Sequence, residues 1–475
     1  MIWWSKQQLT SKDAKSRQRA VEKLLAEGGP RASDALASVL GDDDVEVRRT
    51  AAAALGELRE ESAAGPLGNA LRDADESVRA LAAKALGRIG SAQAITSLIT
   101  ALRDPATKVR WQAARALDEL NWQPTDASQR ANYFIAQGKL ELAAAVGAEA
   151  IDALELVLRT GAYQERHGAV LALGQIPDAR VQKALRAALS DCEDQVRCAA
   201  VEAVRKLGDP SAANALIVLL SDEHKNVRAA TAEALGQLAN ALASEPLRAL
   251  LGDQEWEVRQ AAALALGKLR DPAALDGLIG LLGDPAPEVR ETAVRALELL
   301  GDRRAITPLV VALKDEKGNV RQRAVAALNI LDPDWAHSQA ARAAAPKLQE
   351  ALRHSEYWVR QAAADALARL NQSHTAESRG MPVSQAVLSA TLHYRRQAAA
   401  EAFIEMLSDF DRELRATAVD ALGRLGQIGS IPALTHATKD PDAEVRALAT
   451  GALASLQNQV RAEARNPRTG RVSPF

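Results

Sequence analysis

"VRALAAKALGRIG" occupies Val78–Gly90, "VRAATAEALGQL" occupies Val227–Leu238 and "VRQAAALALGKL" occupies Val258–Leu269. The three stretches are one pattern. Its arginine returns along the chain at Arg17, Arg48, Arg79, Arg110, Arg166, Arg197, Arg228, Arg259, Arg290, Arg321, Arg360, Arg415 and Arg446. Nine of the twelve intervals are 31 residues, and the others are 56, 39 and 55. Self-similarity at a fixed period of about 20–50 residues marks an array of stacked units and overrides a reading as one compact globule.

Aligned on that arginine, the third residue after it is alanine in every unit except at Thr231. The sixth is alanine except at Lys23, and the seventh is leucine except at Val204. Spacing of three, six and seven traces one face of an α-helix. Alanine and leucine favour the helix, and paired alanines let neighbouring helices approach closely. Upstream, the twelfth residue before the arginine is leucine (Leu36, Leu67, Leu98, Leu216), with Phe403 the exception, and the eighth is leucine except at Thr438. Those positions define a second helical face. Between the faces, aspartate stands six before the arginine in ten units, such as Asp42, Asp73, Asp222 and Asp315. A short acidic side chain there satisfies free N–H groups where a helix starts. Gly90, Gly208, Gly301 and Asn121 supply the stop at the other end. Each unit is predicted to be helix–turn–helix.

This pattern resembles the HEAT-repeat superfamily, and most closely the short bacterial HEAT-like repeats named after the phycobilisome lyases. The resemblance covers roughly residues 15–457. It implies an all-α fold, an α-solenoid or right-handed superhelix of about thirteen HEAT-like repeats. It says little about function, because the motif residues are the core of the repeat whatever the protein binds.

The broken intervals set the expected organisation. Residues 1–121 hold an N-terminal cap and repeats 1–4, and 122–146 an inserted segment with one helix near 128–146. Residues 147–331 hold repeats 5–10, and 332–371 repeat 11 after a short loop. Residues 372–395 form a further insertion that opens on a polar loop, "SHTAESRGMP". A long helix is expected from about 383 to 407, with repeats 12–13 over 396–460. Residues 461–475 read as a disordered tail. All of this is expected to form one continuous solenoid. Trp3 and Trp4 precede a first unit that lacks its upstream leucines, and are expected to cover the end of the stack.

Composition narrows the function. Hydrophobic residues make up 47% of the chain but aromatics only 3%, which fits thin Ala/Leu layers and not a wide aromatic-lined cavity. A formal net charge of −2 gives no overall attraction to nucleic acid or anionic membrane. No apolar run suggests a membrane span or a signal-peptide core. Cys192 and Cys198 are too few for a disulfide framework or a zinc site, and read as half-buried thiols in a reducing cytosol.

None of the seven histidines is followed by glutamate. HEAT-like repeats also build the deoxyhypusine hydroxylases, whose di-iron site would require His-Glu dyads on successive repeats; that reading is disfavoured. The resemblance to phycobilisome lyases keeps open a lyase-like enzyme or chaperone acting on a tetrapyrrole-bearing partner. HEAT-like alkylpurine glycosylases would need a basic groove. The fifth position after the arginine instead alternates in sign: Lys84 and Arg115, then Glu202 and Glu233, then Arg295, then Asp365 and Asp420. The recurring Leu-Gly dipeptide reads as helix packing and not as a phosphate cradle.

The repeat arginines, among them Arg48, Arg79, Arg110, Arg197, Arg228, Arg259, Arg290, Arg321 and Arg446, read as structural. Each can bond the aspartate turn of its own or the adjacent repeat, giving a ladder of pairs worth about 0–1 kcal/mol singly if exposed. Partner contacts are expected at the first, fifth and eighth positions after each arginine. Trp111 and Arg115, with Trp122 and Tyr133 beside the first insertion, form an aromatic–basic patch of the kind that anchors interfaces. Trp256 and Trp335 are further candidates. The expected protein is a cytoplasmic, monomeric protein-interaction scaffold that binds one or more proteins. No catalytic residue, cofactor, metal, membrane or nucleic acid is expected.

Overall fold

A computed structural model describes residues 2–379, 396, 399–401, 403–408 and 412–465. The fold is an all-α solenoid of helical repeats. The chain divides into two compact units, Met1–Pro246 and Leu247–Phe475. Unit one opens with α1 (Ile2–Gln8), α2 (Ala14–Glu27), α3 (Pro30–Ala37) and α4 (Val45–Leu58). It continues with α5 (Ala64–Ala70), α6 (Glu76–Ile89), α7 (Ile95–Ala101) and α8 (Thr107–Glu119). Each repeat pairs a short first helix with a longer second one. Its core is the predicted one: Leu67, Val78, Ala82, Ala85, Leu86, Leu98, Ala113 and Leu117 are all buried.

The turn aspartate acts one step earlier than a helix cap. Asp42 and Asp73 accept the N–H of Asp44 and Asp75, at 2.9 and 2.8 Å. Asp44 and Asp75 are the N-caps themselves, each accepting two N–H bonds from the first turn of α4 or α6. Gly90 ends α6 with φ 75°. Arg59 and Arg270 take the same left-handed conformation at the corresponding positions without being glycine.

The arginine ladder is present, and it uses both repeats at once. The Nε and Nη2 of Arg48 donate to the two carboxylate oxygens of Asp73, in the next repeat, at 2.8 and 3.0 Å. Its Nη1 donates to the carbonyl oxygen of Asp42, in its own turn, at 2.7 Å. Arg17–Asp42, Arg79–Asp104, Arg166–Asp191 and Arg197–Asp222 repeat the bidentate geometry in unit one. Arg259–Asp284, Arg290–Asp315 and Arg415–Asp440 repeat it in unit two. These are not surface pairs: the Arg197 and Asp222 side chains are 8% and 7% exposed. Burial with every fork atom satisfied makes removal of one partner far costlier than the surface value, on the order of 3–5 kcal/mol. Burial pushes Asp42, Asp191, Asp222 and Asp284 up, but the arginine bonds, the turn N–H and the arginine charge outweigh it and leave them below the usual carboxylate value.

The eighth position after the arginine is not surface wherever it is glycine. A Cβ on Gly87 would stand 2.9 Å from the Cα and Cβ of Ala116 in the next repeat, and one on Gly267 would stand 2.7 Å from the Ala296 Cα. Gly56–Ala85, Gly174–Ala203 and Gly423–Ala452 pack in the same way. Glycine lets consecutive second helices touch backbone to backbone, so the Leu-Gly dipeptide is a packing device.

The first insertion holds two helices, not one: α9 (Ala127–Ala136) and α10 (Leu140–Val146). Gly138, at φ 76°, turns the chain between them, where an uninterrupted helix was expected. α11 (Ile151–Thr160) and α12 (Tyr163–Leu173) then resume the repeat. α10 packs on α9 and α12, and Leu140 fills the space over Gly168. The second insertion buries Trp335, whose indole N–H donates to Asn329 at 3.0 Å. The helix Tyr357–Arg379 runs through residues 372–379, where a loop was expected, and Ala443–Arg465 carries the last helix beyond residue 460. The rest of both segments, with most of the long helix expected over 383–407, lies outside the described residues. At the N-terminus, Ser5 on α1 and Leu9 just after it are buried. Trp4 is more than half exposed, with the Lys23 ammonium of α2 5.1 Å from its ring centroid. The Trp3 side chain lies outside the described residues.

Two measurements check this packing. Gly87→Ala is expected to lose about 1–3 kcal/mol in denaturant unfolding through overpacking. Gly65→Ala, whose Cβ enters open space within α5, is expected to gain about 0.5–1 kcal/mol. A second rung, Arg49–Asp75, holds the Asp75 carboxyl down to about 2, chiefly through the Arg49 hydrogen bonds. A depressed carboxylate contributes stability above its unfolded pKa of about 3.9 and loses it as pH falls through the folded value. The melting-temperature deficit of Asp75→Asn should therefore be full above pH ~4 and should close towards pH ~2, read by circular dichroism.

Candidate protein-binding surface

Side chains on α8 divide by helical face. Val109, Ala113, Ala116 and Leu117 are buried, while Trp111, Arg115 and Glu119 project outward at successive turns. Trp111 is 45% exposed. The Arg115 guanidinium lies 5.6 Å from its ring centroid, and Arg115 Nε is 3.5 Å from a Glu119 oxygen. A cation over an exposed indole is worth about 0.5–1 kcal/mol. That is enough to bias the Trp111 rotamer while leaving the outer ring face open.

Trp122 and Tyr133 do a different job, so the expected four-residue patch separates. Trp122 is buried and meets the Tyr133 ring edge-on, with centroids 5.7 Å apart at 70°. Tyr133 donates its hydroxyl to the Asp118 carboxylate. Its pKa is pushed up to about 12 by burial first and by the Asp118 bond and charge second. A phenol held protonated against α8 fastens α9 to it. Phe134 extends the cluster, 6.2 Å from Tyr133. Trp122 and Tyr133 thus pack the insertion, whereas Trp111 and Arg115 remain presented to solvent.

The other aromatic candidates also divide. Trp335 belongs to the core, as described above. Trp256 starts the helix Trp256–Leu269 and is 39% exposed. Tyr357 and Trp358, both exposed, pair edge-on at 5.3 Å.

Beside α10 the short inserted helix leaves a groove of about 530 Å³, lined by Leu142, Leu171, Gly168, Lys139, Glu202 and Lys206 among others. Leu142 and Leu171 are nearly half exposed there. Lys139 and Lys206 line the same groove, and the Lys206 ammonium pairs with Glu202 at 3.5 Å. Sequence reasoning missed this groove. The available signal was Leu171, a leucine at the outward fifth position where eight of the other twelve repeats carry charge.

The ladder changes next to the same insertion. Arg110 is buried, and where a rung aspartate would stand it donates from Nη2 to Thr107 Oγ1 at 2.9 Å. Thr107 in turn donates to Glu165 at 2.8 Å, joining the first turns of α8 and α12. Burial lowers the Arg110 pKa, against the opposing charges of Glu165 and Asp104. Its Nε is buried without a partner among the described residues. No group of three or more potential metal ligands stands together among the described residues. No helix among them is long and apolar enough to cross a membrane. Cys192 and Cys198 are unbridged, and burial pushes the Cys198 thiol up.

The family comparison follows the same repeats. Residues 4–67, 64–131, 151–220, 214–286, 276–368 and 400–464 match HEAT repeats. No curated protein matches the chain. Among solved structures, human deoxyhypusine hydroxylase in complex with glycerol is similar at 26% identity, over 63% of this chain and 95% of that one, with a TM-score of 0.24. A chain from a structure of Kap95p binding to RanGDP is similar at 15% identity over 98% and 72%, with a TM-score of 0.35. A chain from a study of the cadherin and beta-catenin interaction is similar at 16% identity over 96% and 98%, with a TM-score of 0.34. Superpositions this loose carry no argument about function. The matched repeats span well over half of the sequence and coincide with the helix pairs and rungs described above, and the chain belongs to the HEAT-repeat family.

Proposed function

We propose that this chain is a protein-interaction scaffold or adaptor, cytoplasmic and monomeric, whose partner docks on the outward second-helix side chains around the first insertion. Trp111 and Arg115 on α8 are the polar–aromatic anchor. Leu142 and Leu171 in the groove between α10 and α12 are the apolar one. The observation that carries the reading is the exposed Trp111, stacked by Arg115 on a helix whose opposite face is fully packed. A large rigid ring presented from a stiff element loses little entropy when a partner covers it. Exposed positions differ from repeat to repeat while the core does not, so one array can offer distinct chemistry along its length.

The test is affinity purification of the full chain from its native host, with mass spectrometry and an absorbance spectrum of the eluate. The expected result is a colourless protein partner whose recovery falls about tenfold or more with Trp111→Ala, the loss of a ~1.4–2 kcal/mol anchor. Thermal unfolding of that variant should change little. A bound tetrapyrrole, or a turnover-dependent adduct on a partner, would replace this reading with a lyase-like one. A large loss of stability in Trp111→Ala would place that ring in the core.

A further inference from the structure

In unit two the rung at Arg321 stands open among the described residues. The turn that should present an aspartate to Arg321 carries His354 instead. His354 keeps half of the aspartate's work. Its Nδ1 accepts the Glu356 N–H at 3.1 Å, as the turn aspartates accept the N–H two residues on. Its carbonyl, with that of Ser355, accepts the Nη1 of Arg360 at 2.7 and 2.6 Å, as in an intact rung. The other half is lost, because an imidazole with Nδ1 accepting offers only a donor at Nε2 and cannot receive a guanidinium fork.

Arg321 shows the consequence. Its Nη1 is bound to the carbonyl oxygens of Asp315 and Glu316 at 2.7 and 3.1 Å. Among the described residues no carboxylate meets its Nε and Nη2. In the neighbouring intact rung those two atoms of Arg290 hold Asp315 at 2.7 and 3.0 Å. Arg321 is half-buried and lines a groove of about 240 Å³ together with Gln322, Asp365 and Arg369. His354 lines a groove of about 640 Å³ with Lys314 and Lys347. Asp315 and Glu316, the nearest acids on that side, are both taken by Arg290. Asp365 in the Arg321 groove, and Glu350 and Glu356 beside His354, are the remaining opposing charges. Arg110 and Arg360 also show no rung carboxylate among the described residues, but they are 2% and 5% exposed and out of reach of any partner.

We propose that the open rung at Arg321 and His354 receives a carboxylate side chain from an acidic segment of a partner protein, docked as the turn aspartates dock on the other rung arginines. The other rungs are the template: the same residue type, held by the same carbonyl bond to its own turn, takes a bidentate carboxylate. A planar fork already fixed on one side loses little freedom on accepting the second pair of bonds. The idea rests on the scaffold reading and adds a chemical class of ligand to it.

The probe is a fluorescein-labelled hexa-aspartate peptide, titrated into the full chain by fluorescence anisotropy. The wild type should bind it, more weakly as salt rises. Arg321→Gln should weaken binding about tenfold or more, the scale of one charge-assisted pair. His354→Asp closes the rung from within, so it should abolish binding to the same extent while raising the melting temperature. Lys268→Gln, an exposed cation elsewhere in the unit, should leave binding unchanged. The proposal is overturned if the wild type does not bind, if His354→Asp binds as well as wild type, or if Lys268→Gln weakens binding equally. It is also overturned if a phosphoserine peptide without carboxylates binds in place of hexa-aspartate. Should Arg321→Gln fail to fold, His354→Asp decides alone. Failure here with the host partner still recovered would leave the scaffold reading standing; loss of the host partner would remove the scaffold itself.

Discussion

One bidentate ion pair between neighbouring repeats organises much of this molecule. A guanidinium has five donors in a rigid plane, and the rung uses both edges of that plane. One edge closes the turn of its own repeat through a carbonyl, and the other grips the aspartate of the next. That aspartate also accepts the N–H of the residue that caps the next second helix. Turn, cap and inter-repeat register are therefore set by a single connected group. Because the pairs are largely buried, water does not screen them as it would an exposed pair.

The second constraint is closeness. Glycine eight residues after the arginine faces alanine in the next repeat, so consecutive second helices approach until backbone meets side-chain methyl. Rung and glycine act together. The rung fixes translation between repeats, and glycine tightens the approach where it occurs; Arg17–Asp42, Arg197–Asp222 and Arg290–Asp315 form with Leu25, Arg205 and Glu298 at that position, so the fork itself does not depend on it. With the core face held in this way, outward positions are free to differ. Trp111, Leu171, Glu202 and Arg295 occupy equivalent or neighbouring outward positions without altering the stack.

Much of this was legible in the sequence. Alanine at three and six, leucine at seven and aspartate at minus six identify the helices, the core and the pairing. Repetition makes each position an average over many copies. What was not legible lies where repetition stops. The first insertion was read as one helix because nothing in its apolar content signals the turn at Gly138. Trp122 and Trp335 could not be told from Trp111, since an indole suits a core and an interface equally well; the difference is the helical face and the hydrogen bond to Asn329. The eighth position was read as surface by periodicity, although the Leu-Gly dipeptide that puts glycine there was read as helix packing; that it packs against the alanine of the next repeat is what sequence spacing does not place. His354 keeps the backbone geometry of an aspartate turn, so its consequence for Arg321 shows only when the two halves of the rung are seen separately.

The buried rung couples adjacent repeats energetically. A double-mutant cycle on Arg197→Met and Asp222→Leu, followed by denaturant unfolding, tests it most directly. Each single variant should lose several kcal/mol, and the double variant much less than their sum, a coupling of roughly 1.5–3 kcal/mol. Additivity to within about 0.3–0.5 kcal/mol would show that the two side chains act independently, and the rung would then be a consequence of the stack and not its cause.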